Sequence, residues 1–461
     1  MPHRFRALPA IGALLLFSAR SASPNEDDPT NLLLAARQRI MNTIHQLPKY
    51  VCTQTVERKR YAPPEPEYGS DGFRRIRSCD DLVAAAHRGA WQPRLSSTDR
   101  LRLDVAVTQD SPTFQREMYS WAGENRFSGR DLFDFVPEGA ISTGSFASML
   151  LSIFGNPAAR FSYRGNSSHD GRALSEFEFH IARANSEYTY VFGPSSTEQV
   201  TVAYGGTVLV NPADSDLLRL IVRTEQLPPE TGACEVTQEM DYTHVRLHGG
   251  DFLLPAQTQV SIIHRDGAQA ENRIEYSACH EFQGDSTVRF ETPGQSGQAD
   301  RAADAPVSAP PAVPALSLPP GLPFAVSFPD PIDPAKAAAG DAIHGRLKTA
   351  IKDSSGKTLV AAGAPVNGRI MRIQRFYNSA RTFMPDRSNA HTEPPPMLVI
   401  AIRLETLDAG KGPQPFQTAP DANARQFVRP TAATGVFQYW AGDPDQAVKI
   451  IPDSDWFTGA P

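Results

Sequence analysis

The 461-residue chain has no cysteine pair spaced as CxxC, no excess of basic residues and, after its first two dozen positions, no apolar run of the roughly 20 residues that span a bilayer. Each absence removes a class. Without CxxC spacing the four cysteines do not read as a metal cluster. A formal net charge of −6 supplies no broad positive face for a phosphate backbone, which sets aside a general nucleic-acid binder. No stretch spells out a reaction, so compartment and architecture are better marked than activity.

The first residues, MPHRFRALPAIGALLLFSARSAS, read as a secretory signal. His3, Arg4 and Arg6 supply positive charge, Ile11 to Phe17 a short apolar run, and Ala19 and Ser21 a cleavage spacing that assigns residues 1–21 to the leader. A membrane anchor is the alternative, but the run is too short for one, and no cysteine follows it to take a lipid. The expected location is periplasmic or otherwise exported, with no transmembrane span after cleavage. In such a compartment Cys52, Cys79, Cys234 and Cys279 are expected to form two bridges. Sequence neighbourhood favours Cys52–Cys79 and Cys234–Cys279 among three pairings, each bridge adding about 2–4 kcal/mol by restricting the unfolded chain.

Asp28-Pro29-Thr30-Asn31 is a helix start, and Leu32, Leu33, Ala36, Ile40, Ile44 and Leu47 follow at helical spacing until Pro48. YVCTQTVERKRY alternates as a first strand and ends at Pro63-Pro64-Glu65-Pro66. LRLDVAVTQ and FQREMYSWAGENRF continue the strand pattern, and Phe127 to Phe135 carries the chain over an edge. Within 138–155, Phe146, Met149, Leu150, Ile153 and Phe154 lie at helical spacing between Gly144 and Gly155, as a helix covering a sheet would. ARFSYRG, RALSEFEFHIA and SEYTYVFG resume the strands. From Tyr204 to Glu291, short apolar/polar alternations broken by Asn-Pro, Pro-Pro, Gly-Gly and Asp-Gly predict an antiparallel meander with one wet face.

Residues 293–323, rich in proline, alanine and serine, read as an extended linker. Residues 324–416, with strands separated by Ser-Gly, Ala-Gly and Asn-Gly, point to a small β-barrel or sandwich, and 417–461 to an irregular tail that Trp440 and Trp456 pack back. The fold expected is mainly β (α+β): a curved antiparallel half-barrel over 28–292 with covering helices, then the small C-terminal unit.

On YGGTVLVNPADSDLLRLIV, DYTHVRLHGGDFLLPAQTQV and NRIEYSACHEF, the first region resembles the LolA/LolB-like envelope half-barrel superfamily of lipoprotein carriers. That resemblance implies an acyl chain or partner segment held in the concave face, and transfers no functional residue. Periplasmic sensors of the RseB type look similar, although the long linker departs from them. Gly340-Asp341, Gly345-Arg346-Leu347 and Leu359 to Ile370 resemble the small barrel of TrbI-like envelope assembly proteins.

Candidate chemistry is thin. Ser145 lacks the second glycine of a nucleophile elbow, since position 147 is alanine, and reads as a turn or cap. His244 and His248, with His264 or His280, would be needed for zinc, but half-exposed sheet histidines explain them. Glu176 and Glu178 share a strand face, a pairing glycosidases use and a solvated face also produces. Arg74, Arg75 and Arg77 could meet an anionic lipid or glycan, or be solvated. The apolar set Trp121, Phe127, Phe133, Phe135, Phe146, Met149, Leu150, Leu151, Phe154 and Phe161 lines either a ligand pocket under the 144–155 helix or an ordinary core. The expectation is a non-catalytic envelope protein without cofactor or metal that holds a lipid, acyl chain or lipoprotein segment. A structural adaptor docking an envelope protein through its C-terminal barrel, and a regulatory periplasmic sensor, are the alternatives.

Overall fold

The computed structural model describes residues 28–72, 75, 77–90, 93–111, 114–124, 127, 132–136, 141–169, 171–192, 198–247, 249–281, 316, 318, 323–330, 332, 333, 335–377, 397–415, 418–420, 436–441 and 448–450. The expected leader, most of the expected linker and His248 lie outside them. Helix α1 spans Pro29–Gln46, with the Asp28 carboxylate accepting from the Thr30 amide at 2.9 Å and proline at its first position. Its buried stripe is Ala36, Ile40 and Ile44. Strand β1 (Tyr50–Ala62) ends before the proline cluster, and α2 (Cys79–His87) follows, capped by Ser78. Next come β2 (Arg94–Ser111), β3 (Phe114–Trp121), the single turn α3 (Leu132–Phe135) and α4 (Ser148–Phe154). The helix expected over 144–155 is therefore shorter, because Gly144 takes a left-handed φ of 84° and residues 145–147 form a turn.

Strands β4 (Arg160–His169), β5 (Arg172–Ile181), the hairpin β6 (Thr189–Phe192) and β7 (Glu198–Thr201), β8 (Ala203–Val210), β9 (Leu217–Glu225), β10 (Ala233–Leu247), β11 (Gly250–His264) and β12 (Gln269–Glu281) complete the first region. Antiparallel pairing runs β4–β5–β8–β9–β10–β11–β12–β1–β2–β3, so the meander closes on the N-terminal strand. The sheet is large, curved and not closed into a barrel. One face packs against α1 and α4 to form a core that includes Ile40, Leu103, Phe154, Phe177, Tyr204 and Leu220.

That pairing overturns the expected disulfides. Cys52 bridges Cys279 and Cys79 bridges Cys234. Sequence neighbourhood loses to strand register: β1 lies beside β12 with Val51 opposite His280 and Thr53 opposite Ser277, and a bulge at Ala278 (φ 50°) sets Cys279 facing Cys52. The second bridge ties the start of α2 to β10.

The later strands are β13 (Pro323–Ser327), β14 (Ala342–Leu347), the hairpin β15 (Ile351–Lys352) and β16 (Thr358–Val360), β17 (Pro365–Phe376), β18 (Met397–Asp408), β19 (Pro413–Pro415), β20 (Thr418–Pro420), β21 (Val436–Ala441) and β22 (Val448–Ile450). They enclose a second core around Phe324, Val326, Ile343, Val366, Ile370 and Leu404. The stretch expected as an irregular tail contributes β20, β21 and β22, the last two pairing with β13 and β18.

The two cores are joined through one strand edge. Beyond its pairing to β1, β2 is met by β3 over Leu103 to Ser111 and by β17 over Ser97 to Asp99. Ala339 fills the gap between them, accepting from the Arg102 amide at 2.7 Å and donating to the Arg100 carbonyl at 2.9 Å. Gly340 follows with φ 105°; a Cβ there would collide with the Arg102 carbonyl and reach Trp121 Cε3 at 2.9 Å. Arg369, 5% exposed, donates from Nη1 to the carbonyls of Ala122 (2.9 Å) and Gly340 (2.6 Å), and Arg102 pairs with Asp341.

Candidate binding site on the helix-covered face

Along β1 the side chains of Tyr50, Cys52, Gln54, Val56 and Arg58 turn toward the helices, and the register carries that face across the sheet. The expected pocket residues divide. Trp121, Phe135, Phe146, Met149, Leu150 and Phe154 are all buried in the main core, where the Trp121 and Phe135 rings meet edge-on at 4.9 Å. Phe154 stacks on Phe161 at 5.7 Å, and Leu151 is half-buried against the same core. Phe127 packs elsewhere, in a small cluster with Val51, Ala106 and Met118, whose positions on β1, β2 and β3 put it on the opposite face. Phe133 is half-buried on α3. Most of the set is thus packed wall.

Polar groups that sequence reading missed share the covered face. On β3, Gln115 and Glu117 grip the turn before α4: Gln115 Oε1 accepts from the Ala147 amide at 2.8 Å, and the Glu117 carboxylate accepts from the amides of Gly144 (3.0 and 3.1 Å) and Phe146. Tyr119 Oη donates to Glu117 at 2.6 Å. Burial pushes the Glu117 carboxyl above its ordinary range, and these hydrogen bonds only partly offset it. Burial, then the Glu117 charge, likewise raises the Tyr50 hydroxyl, which has no hydrogen-bond partner among the described residues.

A second polar feature is a row running across the sheet. Register aligns Gln238, Val260, Asn272, Arg58, Asp99 and Gln374 on β10, β11, β12, β1, β2 and β17. Gln238, Asn272 and Gln374 are 2%, 1% and 3% exposed, and Arg58 pairs bidentately with Asp99 at 2.6 and 2.8 Å. Where the row reaches β17 a cleft of about 170 Å³ opens. Leu101, Phe135, Val136 and Met371 give it apolar wall, and Arg58, Arg60, Asp99, Arg100, Arg372 and Gln374 give it polar wall. Only the register reveals the row, because its members come one from each of six strands. On the opposite face Lys59, Thr98 and Arg375 form a parallel row beside a cleft of about 220 Å³.

The remaining candidates do not converge. His244 bridges Asp216 (2.8 Å) and Asp251 (3.4 Å) near one end of β10, whereas His264 pairs with Ala233 at the other end. His280 bonds its own turn at the Ala278 carbonyl, and burial lowers the pKa of His264. Ser145 is buried in the turn before α4, its carbonyl accepting from Tyr242 Oη at 3.2 Å. Glu178 pairs with Arg164 in solvent while Phe177 and Phe179 are buried, as a half-wet strand requires. Arg77 pairs with Glu67; Arg74 lies outside the described residues.

No family model matches the chain, and no curated protein matches it. Solved structures do. A DUF1329 family protein from Desulfovibrio piger aligns at 10% identity over 57% of this chain and 96% of its own, with a TM-score of 0.25. A putative outer membrane lipoprotein-sorting protein domain from Vibrio parahaemolyticus aligns at 11% identity over 59% and 96%, also at 0.25. A LolA superfamily protein from Nitrosomonas europaea aligns at 9% identity over 55% and 97%, at 0.21. At these scores the likenesses carry no functional argument. None of the three lends support to the expected TrbI-like C-terminal module.

Proposed function

We propose that the chain is a non-catalytic binder of an amphiphile, a lipid, acyl chain or lipoprotein segment, seated at the cleft where β17 extends the helix-covered face. The observation that carries this reading is the apolar wall of Leu101, Phe135, Val136 and Met371, which reaches the cleft from the core through the Trp121–Phe135 contact. Apolar side chains left at a cleft are what a hydrocarbon chain would cover. Two disulfides fit an oxidising, exported location, and no helix among the described residues is long and apolar enough to cross a membrane. The adaptor reading is weaker, because β17 is hydrogen-bonded into the β2 edge and forms part of the cleft.

Organic extraction of the purified full chain should release an amphiphile, and a fluorescent fatty acid should bind with a blue shift. Met371→Glu, which puts a charge on the apolar wall, should weaken that binding by about tenfold. No extractable amphiphile together with no fluorescence change would sink the reading.

A further inference from the structure

Apolar surface is only part of the cleft. Arg372 lines it from β17, and both its Nε (2.8 Å) and its Nη2 donate to a single neutral oxygen, Oε1 of the buried Gln374. Neighbouring arginines are held differently: Arg58 by Asp99, Arg100 by Glu57, Arg102 by Asp341, and Arg369 and Arg403 by Glu405. No carboxylate pairs with Arg372 among the described residues. A guanidinium stays charged at any physiological pH, so a half-buried one fixed by an amide keeps donors available for an anion. Asp99 does not oppose one, since Arg58 already engages both of its oxygens.

We propose that this cleft takes an oxyanion, the phosphate or carboxylate head group of the bound amphiphile, with Arg372 as its principal donor and Leu101, Phe135 and Met371 along the start of the chain. The inference rests on the amphiphile-binding reading above and adds the charge of the ligand to it. Size agrees: about 170 Å³ falls below the ~300–1,000 Å³ that enclose a whole drug-sized ligand, so the cleft suits a head group whose tail runs onward. Gln374 prepares the donor by holding the Nε edge of Arg372, which cuts the ordering cost on binding.

The experiment is calorimetric titration of the full chain with a monoacylglycerol, the fatty acid and the lysophosphatidate of one chain length, and with inorganic phosphate alone. The two charged amphiphiles should bind at least ~10-fold more tightly than the uncharged one, the size of one charge-assisted hydrogen-bonded contact. Arg372→Gln should abolish that advantage, bringing the charged amphiphiles down to the affinity of the uncharged one, and Arg372→Lys should restore part of it. Equal affinity for charged and uncharged amphiphiles in the unaltered chain, or an unchanged advantage in Arg372→Gln, overturns the inference and leaves amphiphile binding standing. If no amphiphile binds but phosphate does so in an Arg372-dependent way, the oxyanion site holds for a free anion and the amphiphile reading falls. If neither phosphate nor any amphiphile binds, both are overturned.

Discussion

Glu117 shows what a single side chain does at this site and how little of it the sequence displays. In FQREMYSW it is one acid in an alternation; folded, it holds the amides that start the approach to α4 beneath a set of tyrosines. Burial raises its folded pKa above the ordinary value of 4.5, so the folded state binds this proton more tightly than the unfolded state. The resulting stabilisation is fully present below pH 4.5 and is lost as pH rises through the folded pKa. Urea unfolding followed from pH 4 to 8 should therefore show Glu117→Gln without this decline, and a parallel pH profile in both proteins would contradict the assignment. Arg372 was equally hidden, because nothing in PVNGRIMRIQRF tells which of its arginines faces a carboxylate. The aromatic and aliphatic residues between 121 and 154 were legible as apolar but not by face, and Phe127 joined the other side of the sheet.

At the level of elements, local chemistry was the reliable guide. The Asp28-Pro29 start and the 3.6-residue spacing located α1, and the alternation with its turn dipeptides located β8 to β12. Helix α2 went unread although Ser78 and Asp81 stand at capping spacing, the Ser78 hydroxyl accepting from the Asp81 amide at 3.1 Å. Disulfide partners failed for a different reason: they are fixed by which strands become neighbours, and β1 and β12 lie 227 residues apart at the bridge. Removing that bridge with Cys52→Ala and Cys279→Ala should cost on the order of 2–4 kcal/mol in equilibrium unfolding, because the intact Cys79–Cys234 bridge already limits the loop that is released. A loss under about 0.5 kcal/mol would show that the unfolded chain is confined by other means.

For the molecule as a whole, the shared edge of β2 matters most, and no local pattern announces it. The sequence separates two regions by a proline-rich stretch and leaves open whether they touch; in the structure a hydrogen-bonded ladder runs from one to the other through Ser97–Asp99 and Gln374–Phe376. Gly340→Ala tests the importance of that seam, since the added methyl needs space now held by the Arg102 carbonyl in a backbone conformation that disfavours side chains. Amide exchange should accelerate at Arg102 and Ala339 by about tenfold or more while Leu220, deep in the first core, keeps its protection.

The seam also dictates an order of assembly. Once residues 28–281 have emerged into the compartment where the chain folds, every partner strand of the first sheet is present except the one that covers positions 97–99, and that cover arrives only with residues 374–376. Until then the nascent chain carries a bare backbone edge, the kind of surface that recruits stray strands. Its final pairing spans so many residues that closing it should be the slow step of folding, and chaperones that shield strand edges should matter most in that interval.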